Sequence, residues 1–209
     1  FRLSVELRPR TNQILTSNAT EIIFKKMHLK LIFHVLAIII VQGKGDNLPG
    51  SIKGLQQYFG DGTSNDVTNV FYEVLQNEQG LPSQAAESLK QHIAVSDWYG
   101  FDDDHIQKFV DNMKLISETK IENEADLKDL RSRLYEPEDF QAAMLMDSLL
   151  NNRDDSEEAK AAFDKAFITL DNSMVQLYYT DDEDIFSGVV VAAKRKHTTH
   201  AVYLVFLID

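Results

Sequence analysis

The sequence predicts an all-α fold: a compact bundle of about six short helices, preceded by a signal peptide. Three observations carry that expectation. Between Leu48 and Tyr179 apolar residues recur at helical spacing with little strict alternation. Acidic clusters, Gly80 and Pro137 punctuate that stretch at intervals that suit short helices. Upstream, Lys25-Lys26-Met27-His28-Leu29-Lys30 leads into the apolar run Leu31–Val41.

That run is 11 residues long, short of the roughly 20 a membrane-spanning helix needs and within the roughly 7–15 of a secretory signal. It predicts a signal peptide over 27–43, starting at Met27, with cleavage after the small residues near Gly43, and hence a secreted, extracellular protein. On that reading residues 1–26 are translation upstream of the true start. The sequon Asn18-Ala19-Thr20 falls within them.

The helical body is read over 44–180. Val67, Val70, Phe71, Val74 and Leu75 fall at i, i+3, i+4, i+7 and i+8, with Ser64, Asn65 or Asp66 available as a cap. Gly80 ends that helix. Pro82-Ser83 opens the next, with Ala86, Leu89 and Ile93. Asp102-Asp103-Asp104 sits where negative charge favours a helix start, ahead of Ile106, Phe109, Val110, Met113 and Ile116. Ile121, Leu127, Leu130 and Leu134 mark a helix that stops before Pro137. Phe140, Met144, Leu145, Leu149 and Leu150 mark another. Asp154-Asp155-Ser156-Glu157-Glu158 starts the last, with Ala159, Ala162, Phe163, Ala166, Phe167 and Leu170. In 181–209 an acidic stretch gives way to β-branched runs around Lys194-Arg195-Lys196. This tail is expected to be either a hairpin or a non-native reading of the gene.

Charge and motifs narrow the function. Of 209 residues with net charge −12, the segment 46–184 carries 30 acidic and 11 basic side chains, a net of −19. Such a body is repelled by phosphate backbones and anionic lipid headgroups, which disfavours nucleic acid and favours cations. Cysteine is absent, so disulfides and thiol chemistry are excluded. The glycines are scattered, with no phosphate loop, dinucleotide fingerprint or nucleophile elbow. No nucleophile, base and orienting group form a recognisable set, so an enzyme and an organic cofactor are not expected. His197-Thr198-Thr199-His200 has zinc-like spacing without further ligands, and His92 and His105 flank the Trp98 loop as ordinary histidines.

Calcium and magnesium are hard cations that take oxygen ligands, so the carboxylate clusters are the candidate metal ligands. Asp61-Gly62-Thr63-Ser64-Asn65-Asp66 fails the EF-hand pattern, with Asp66 where Gly is required and Tyr72 where a bidentate Glu belongs. Acids at helix starts are also explained by the helix dipole alone.

The stretch Tyr58-Phe59-Gly60-Asp61-Gly62-Thr63-Ser64-Asn65-Asp66-Val67, continuing through Phe71-Tyr72-Glu73-Val74-Leu75, resembles the opening of the SXP/RAL family of secreted nematode antigens. Leu89, the Trp98-Tyr99-Gly100 turn, Phe109 and Leu149-Leu150-Asn151-Asn152 through Glu158-Ala159 agree with it over about residues 55–170. The resemblance implies an all-helical, secreted, non-catalytic antigen that associates with divalent cations and meets host proteins or antibodies. Asp154, Asp155, Glu157 and Glu158 lie in the best late match and are the first candidate ligands; Asp102, Asp103 and Asp104 are the second. The alternatives are a host-protein-binding module and a helical carrier of small lipids, the latter suggested by Phe71, Phe101, Phe109, Phe140, Phe163 and Phe167.

Overall fold

From Asn172 to Ile208 the chain is built from strands. In the computed structural model, which describes residues 48–63, 66–75, 80–96, 101–183 and 185–209, the order is α1 (Gly50–Phe59), β1 (Thr68–Val74), α2 (Gly80–Val95), α3 (Asp103–Asp111), β2 (Lys114–Lys120), α4 (Glu124–Tyr135), α5 (Phe140–Asn151), α6 (Ser156–Phe167), β3 (Asn172–Asp181), β4 (Ser187–Arg195) and β5 (His200–Ile208). The five strands form one antiparallel sheet in the order β1-β5-β4-β3-β2. The all-α expectation is therefore corrected to a mixed α/β fold. The expected signal peptide at 27–43, the segment 1–26 and the Trp98-Tyr99-Gly100 turn lie outside the described residues.

Two covering layers explain why the sheet is hidden in the sequence. On one face Phe71, Tyr203, Val205, Val190, Ala192 and Tyr178 pack with Leu81, Ala85, Leu89 and Ile93 of α2 and Phe109 of α3. The alternate residues Val189, Val191, Ala193, Val202, Leu204, Val175 and Leu177 are equally buried on the opposite face. There α1, α5 and α6 supply the cover: α1 packs on β1 and α6, and α5 on β3 and β4. A strand covered on both faces is apolar at every position, so β4 (Ser-Gly-Val-Val-Val-Ala-Ala) and β5 (Ala-Val-Tyr-Leu-Val-Phe-Leu-Ile) show no alternation.

The β1 correction has a different cause. Val67, Val70, Phe71 and Val74 fit a helical stripe by spacing, yet Thr68–Val74 is rich in β-branched and aromatic residues and lies beside β5, with Phe71 opposite Tyr203. Asn69 and Phe71 turn to α2, while the outward backbone of this edge strand is closed by side chains. Gln56 Nε2 donates to the Val70 carbonyl at 3.4 Å and Gln84 Nε2 to the Val74 carbonyl at 3.0 Å. Similarly, the helix read through Met113 and Ile116 stops at Asp111, and β2 begins at Lys114.

The helix starts follow local chemistry. Asp102 Oδ1 accepts from the His105 amide at 3.0 Å, Asp139 Oδ1 from the Ala142 amide at 2.9 Å, and Asn123 Oδ1 from the Ala125 amide at 2.9 Å. Asp126 completes a reciprocal cap on α4, accepting from the amides of Glu122 and Asn123. At Gly188 no side chain fits: a Cβ there would stand 2.1 Å from Leu207 Cδ2 and 2.4 Å from the Phe206 carbonyl.

Candidate ligand site between α2 and the sheet

Helix α2 carries Gln84, Ser88 and His92 at four-residue intervals, and Ser96 follows one turn later. Four residues is close to one helical turn, so these side chains form a polar line along one side of the helix. Leu81, Ala85, Leu89 and Ile93 flank it and pack into the core, so the line is buried with them: Gln84 is 4%, Ser88 1%, His92 0% and Ser96 5% exposed.

The sheet meets the line with matching groups. The Gly62 amide donates to Asn69 Oδ1 at 3.1 Å, and an amide N–H can only donate, so this contact orients the Asn69 carboxamide. Its Nδ2 then faces His92 Nδ1 at 2.9 Å, which makes Nδ1 the acceptor and leaves the imidazole proton on Nε2. Ser96 Oγ donates to the His92 carbonyl at 2.6 Å. Gly62 holds this corner with φ 87, its α-carbon so near the Phe71 ring that a Cβ would be 3.3 Å away. Burial pushes the His92 imidazole down to about 4, so it is neutral at physiological pH.

Further along, the Tyr203 hydroxyl donates to Gln84 Oε1 at 3.2 Å. Across the small Ala192, opposite both Tyr203 and Gln176 in register, the Tyr178 hydroxyl donates to Gln176 Oε1 at 2.6 Å. Gln176 Nε2 in turn donates to Glu118 Oε2 at 2.6 Å, where the line reaches the exposed side chain of edge strand β2. Burial raises the ionisation of both Tyr178 and Tyr203 above the usual phenol range, so both stay protonated donors. The Ser88 hydroxyl, in the middle of the helix line, has no hydrogen-bond partner among the described residues. The interior thus offers uncharged donors and acceptors bordered by Phe71, Leu89, Ile93 and Phe109.

The carboxylates expected to hold a cation are engaged otherwise or dispersed. Asp102 caps α3 and contacts His105 Nδ1 at 2.8 Å; hydrogen bonds from the His105 amide and ring hold its carboxyl below the usual range. Asp103 and Asp104 are exposed in the first turn of α3. Asp155 pairs with the Arg153 guanidinium, which lowers its ionisation and also donates to the Tyr58 carbonyl at 2.9 Å. Glu157 lies 3.3 Å from Lys160, while Asp154 and Glu158 point to solvent. Among the described residues no group of three or more His, Asp or Glu converges as a metal site. His105 is occupied by Asp102, and His200 stacks on Tyr72 at 5.0 Å. Of the phenylalanines that suggested a lipid carrier, Phe71 and Phe109 join the core beneath α2, with Phe101 packed against it. Phe163 and Phe167 are buried in α6, and Phe140 is 75% exposed.

Fold and site together define a domain with a five-stranded antiparallel sheet, helices on both faces, and an uncharged polar line buried beneath α2. No family model matches the chain, no curated protein matches it, and no solved structure matches it. The fold implied by the SXP/RAL resemblance is all-helical, whereas Thr68–Val74, inside the stretch that carries the resemblance, is a strand. No helix of the described residues is long and apolar enough to cross a membrane. Sequence reading passed over Asn69, Gln84, Ser88, Gln176 and Tyr203. The available signal was the four-residue spacing of Gln84, Ser88, His92 and Ser96 within an apolar helix.

Proposed function

We propose that this protein binds a small, uncharged, largely apolar molecule bearing a hydroxyl, carbonyl or amide, with its polar end at Ser88 and its apolar body against the core beneath α2. This is the carrier reading, moved from a bundle of helices to the packing of α2 on the sheet. The buried Ser88 hydroxyl without a partner carries the proposal. Leaving such a group unsatisfied costs about 1–3 kcal/mol, a cost that a ligand hydrogen bond removes. The neutrality of His92, Tyr178 and Tyr203 fits an uncharged ligand, because the line carries charge only at its exposed end, Glu118. Divalent-cation binding through Asp103, Asp104, Asp154 and Glu158 would rest on general negative charge, since Asp102 and Asp155 already have protein partners.

The test is displacement of an environment-sensitive fluorescent lipid by a panel of retinol, long-chain alcohols, sterols and fatty acids, with native mass spectrometry of the same mixtures. Neutral members should displace the probe saturably and appear as one-to-one adducts. Ser88→Ala should weaken them several-fold, and Ser88→Leu should block them. Absence of displacement and of adducts across the neutral panel refutes the reading. Preference for fatty acids over the matching alcohols would refute its uncharged character.

A further inference from the structure

The opposite face of the sheet holds a buried positive charge that makes no ion pair among the described residues. Arg195, at the end of β4, is 6% exposed. Its Nη1 donates to Asn172 Oδ1 at 2.8 Å, its Nη2 reaches Ser51 Oγ only at 3.5 Å, and its Nε has no partner among the described residues. Both contacts are to neutral oxygens, and among the described residues no acidic side chain lies within ion-pair distance. A buried cation without a counter-charge is among the costliest arrangements in a protein interior.

The element beside this guanidinium compounds the deficit. Ser51 is in the first turn of α1, which has Pro49 as its cap residue, no side-chain cap and no acidic residue in the first turn. The Ile52 and Lys53 amides both turn back to the Pro49 carbonyl, at 2.9 and 3.0 Å, and the Gly50 and Ser51 amides have no partner among the described residues. The positive end of a helix dipole and a guanidinium are therefore joined through Ser51 with no carboxylate in contact with either among the described residues, the arrangement in which helix N-termini hold anions. Asn172 does not resolve it. Its Nδ2 donates to the Ala166 and Phe167 carbonyls at 3.0 and 2.9 Å, so it links Arg195 to the negative end of α6 through Nη1 alone. Asp171, exposed on the neighbouring turn, favours the charged guanidinium from a distance without pairing with it, and burial outweighs that support.

We infer that Arg195, Ser51 Oγ and the Gly50 and Ser51 amides form a binding site for an oxyanion, the phosphate or carboxylate group of a small ligand. The site lies on the sheet face away from Ser88 and stands independently of the lipid reading. Arg195 supplies the charge and a planar fork of donors, Ser51 a hydroxyl, and the helix start two amides.

Amide-resolved NMR titration of the protein with inorganic phosphate, and separately with acetate, against sodium chloride at equal ionic strength, tests the site. The Gly50 and Ser51 resonances should shift saturably with the oxyanion and not with chloride, and the stronger of the two titrants identifies the preferred group. Ser51→Ala, which alters one half-buried hydroxyl, should weaken the response several-fold, and Arg195→Gln should weaken it at least tenfold, with Arg195→Lys intermediate. Gly50 and Ser51 shifts equal to those in chloride overturn the inference. So does a Ser51→Ala titration indistinguishable from the parent protein.

Discussion

Acidification should destabilise this protein through one histidine. His92 is fully buried, its Nδ1 accepts from Asn69, and burial pushes its ionisation from 6.5 down to about 4. A second proton would sit on Nδ1, facing the Asn69 amide hydrogens, and the carboxamide cannot flip without losing the Gly62 bond. Because the folded value is lowered, the unfolded chain binds more protons between pH 6.5 and 4, and stability falls as pH falls through that window. The difference corresponds to about 1 kcal/mol lost at pH 6, about 2 at pH 5 and about 3 below pH 4. A domain is typically stable by about 5–15 kcal/mol, so the loss is a large share. Urea unfolding at pH 7 and pH 5 should show the parent protein losing about 2 kcal/mol more than His92→Gln, in which the carboxylate contributions cancel. NMR of the folded protein should show the His92 ring neutral and protonated on Nε2 at pH 5. Equal pH dependence in parent and variant, or a folded-state His92 midpoint near 6.5, would refute the reasoning.

Other substitutions test the packing. Asn172→Ala removes two hydrogen bonds to the end of α6 and one to Arg195, and should cost about 2–4 kcal/mol in urea unfolding. Gly188→Ala forces a Cβ against Leu207 and the Phe206 carbonyl, and should lower stability by about 1–3 kcal/mol, read as a drop in thermal midpoint. Ser88→Ala removes a hydroxyl that has no partner, so the ligand-free protein should keep or slightly gain stability. Ser96→Ala, which loses the bond to the His92 carbonyl, should lose about 1 kcal/mol in the same unfolding assay.

Local chemistry was legible in part where a single residue decides it. Asp102 caps α3 because its side chain accepts the amide proton three residues on, and Pro137 limits α4 because it cannot extend the preceding turn; the caps at Asn123 and Asp139 were not read, and Ile121 precedes α4 rather than belonging to it. The apolar stripes of α5 and α6 were readable in part: Leu145, Leu149 and Leu150, and Ala159, Phe163, Ala166 and Phe167, are buried as their spacing suggests, whereas Phe140 and Met144 are exposed and Leu170 lies beyond the end of α6. The sheet was not. Alternation signals a strand only when one of its faces meets water, and β4 and β5 meet water on neither. At β1 the spacing of Val70, Phe71 and Val74 satisfies two periods, and pairing with β5, more than a hundred residues away, selects the extended one.

The sequence by itself determined the polar spacing of Gln84, Ser88, His92 and Ser96, the lack of cysteine and of a recognisable catalytic set, and the acidity of the body. Only the tertiary structure decided that this spacing faces inward toward Asn69 and Tyr203, and that Arg195 is buried beside the start of α1 rather than solvated in a basic turn. The physical reason is that a polar group's meaning depends on whether water remains beside it. That depends on strands and helices distant in sequence, which no local pattern records.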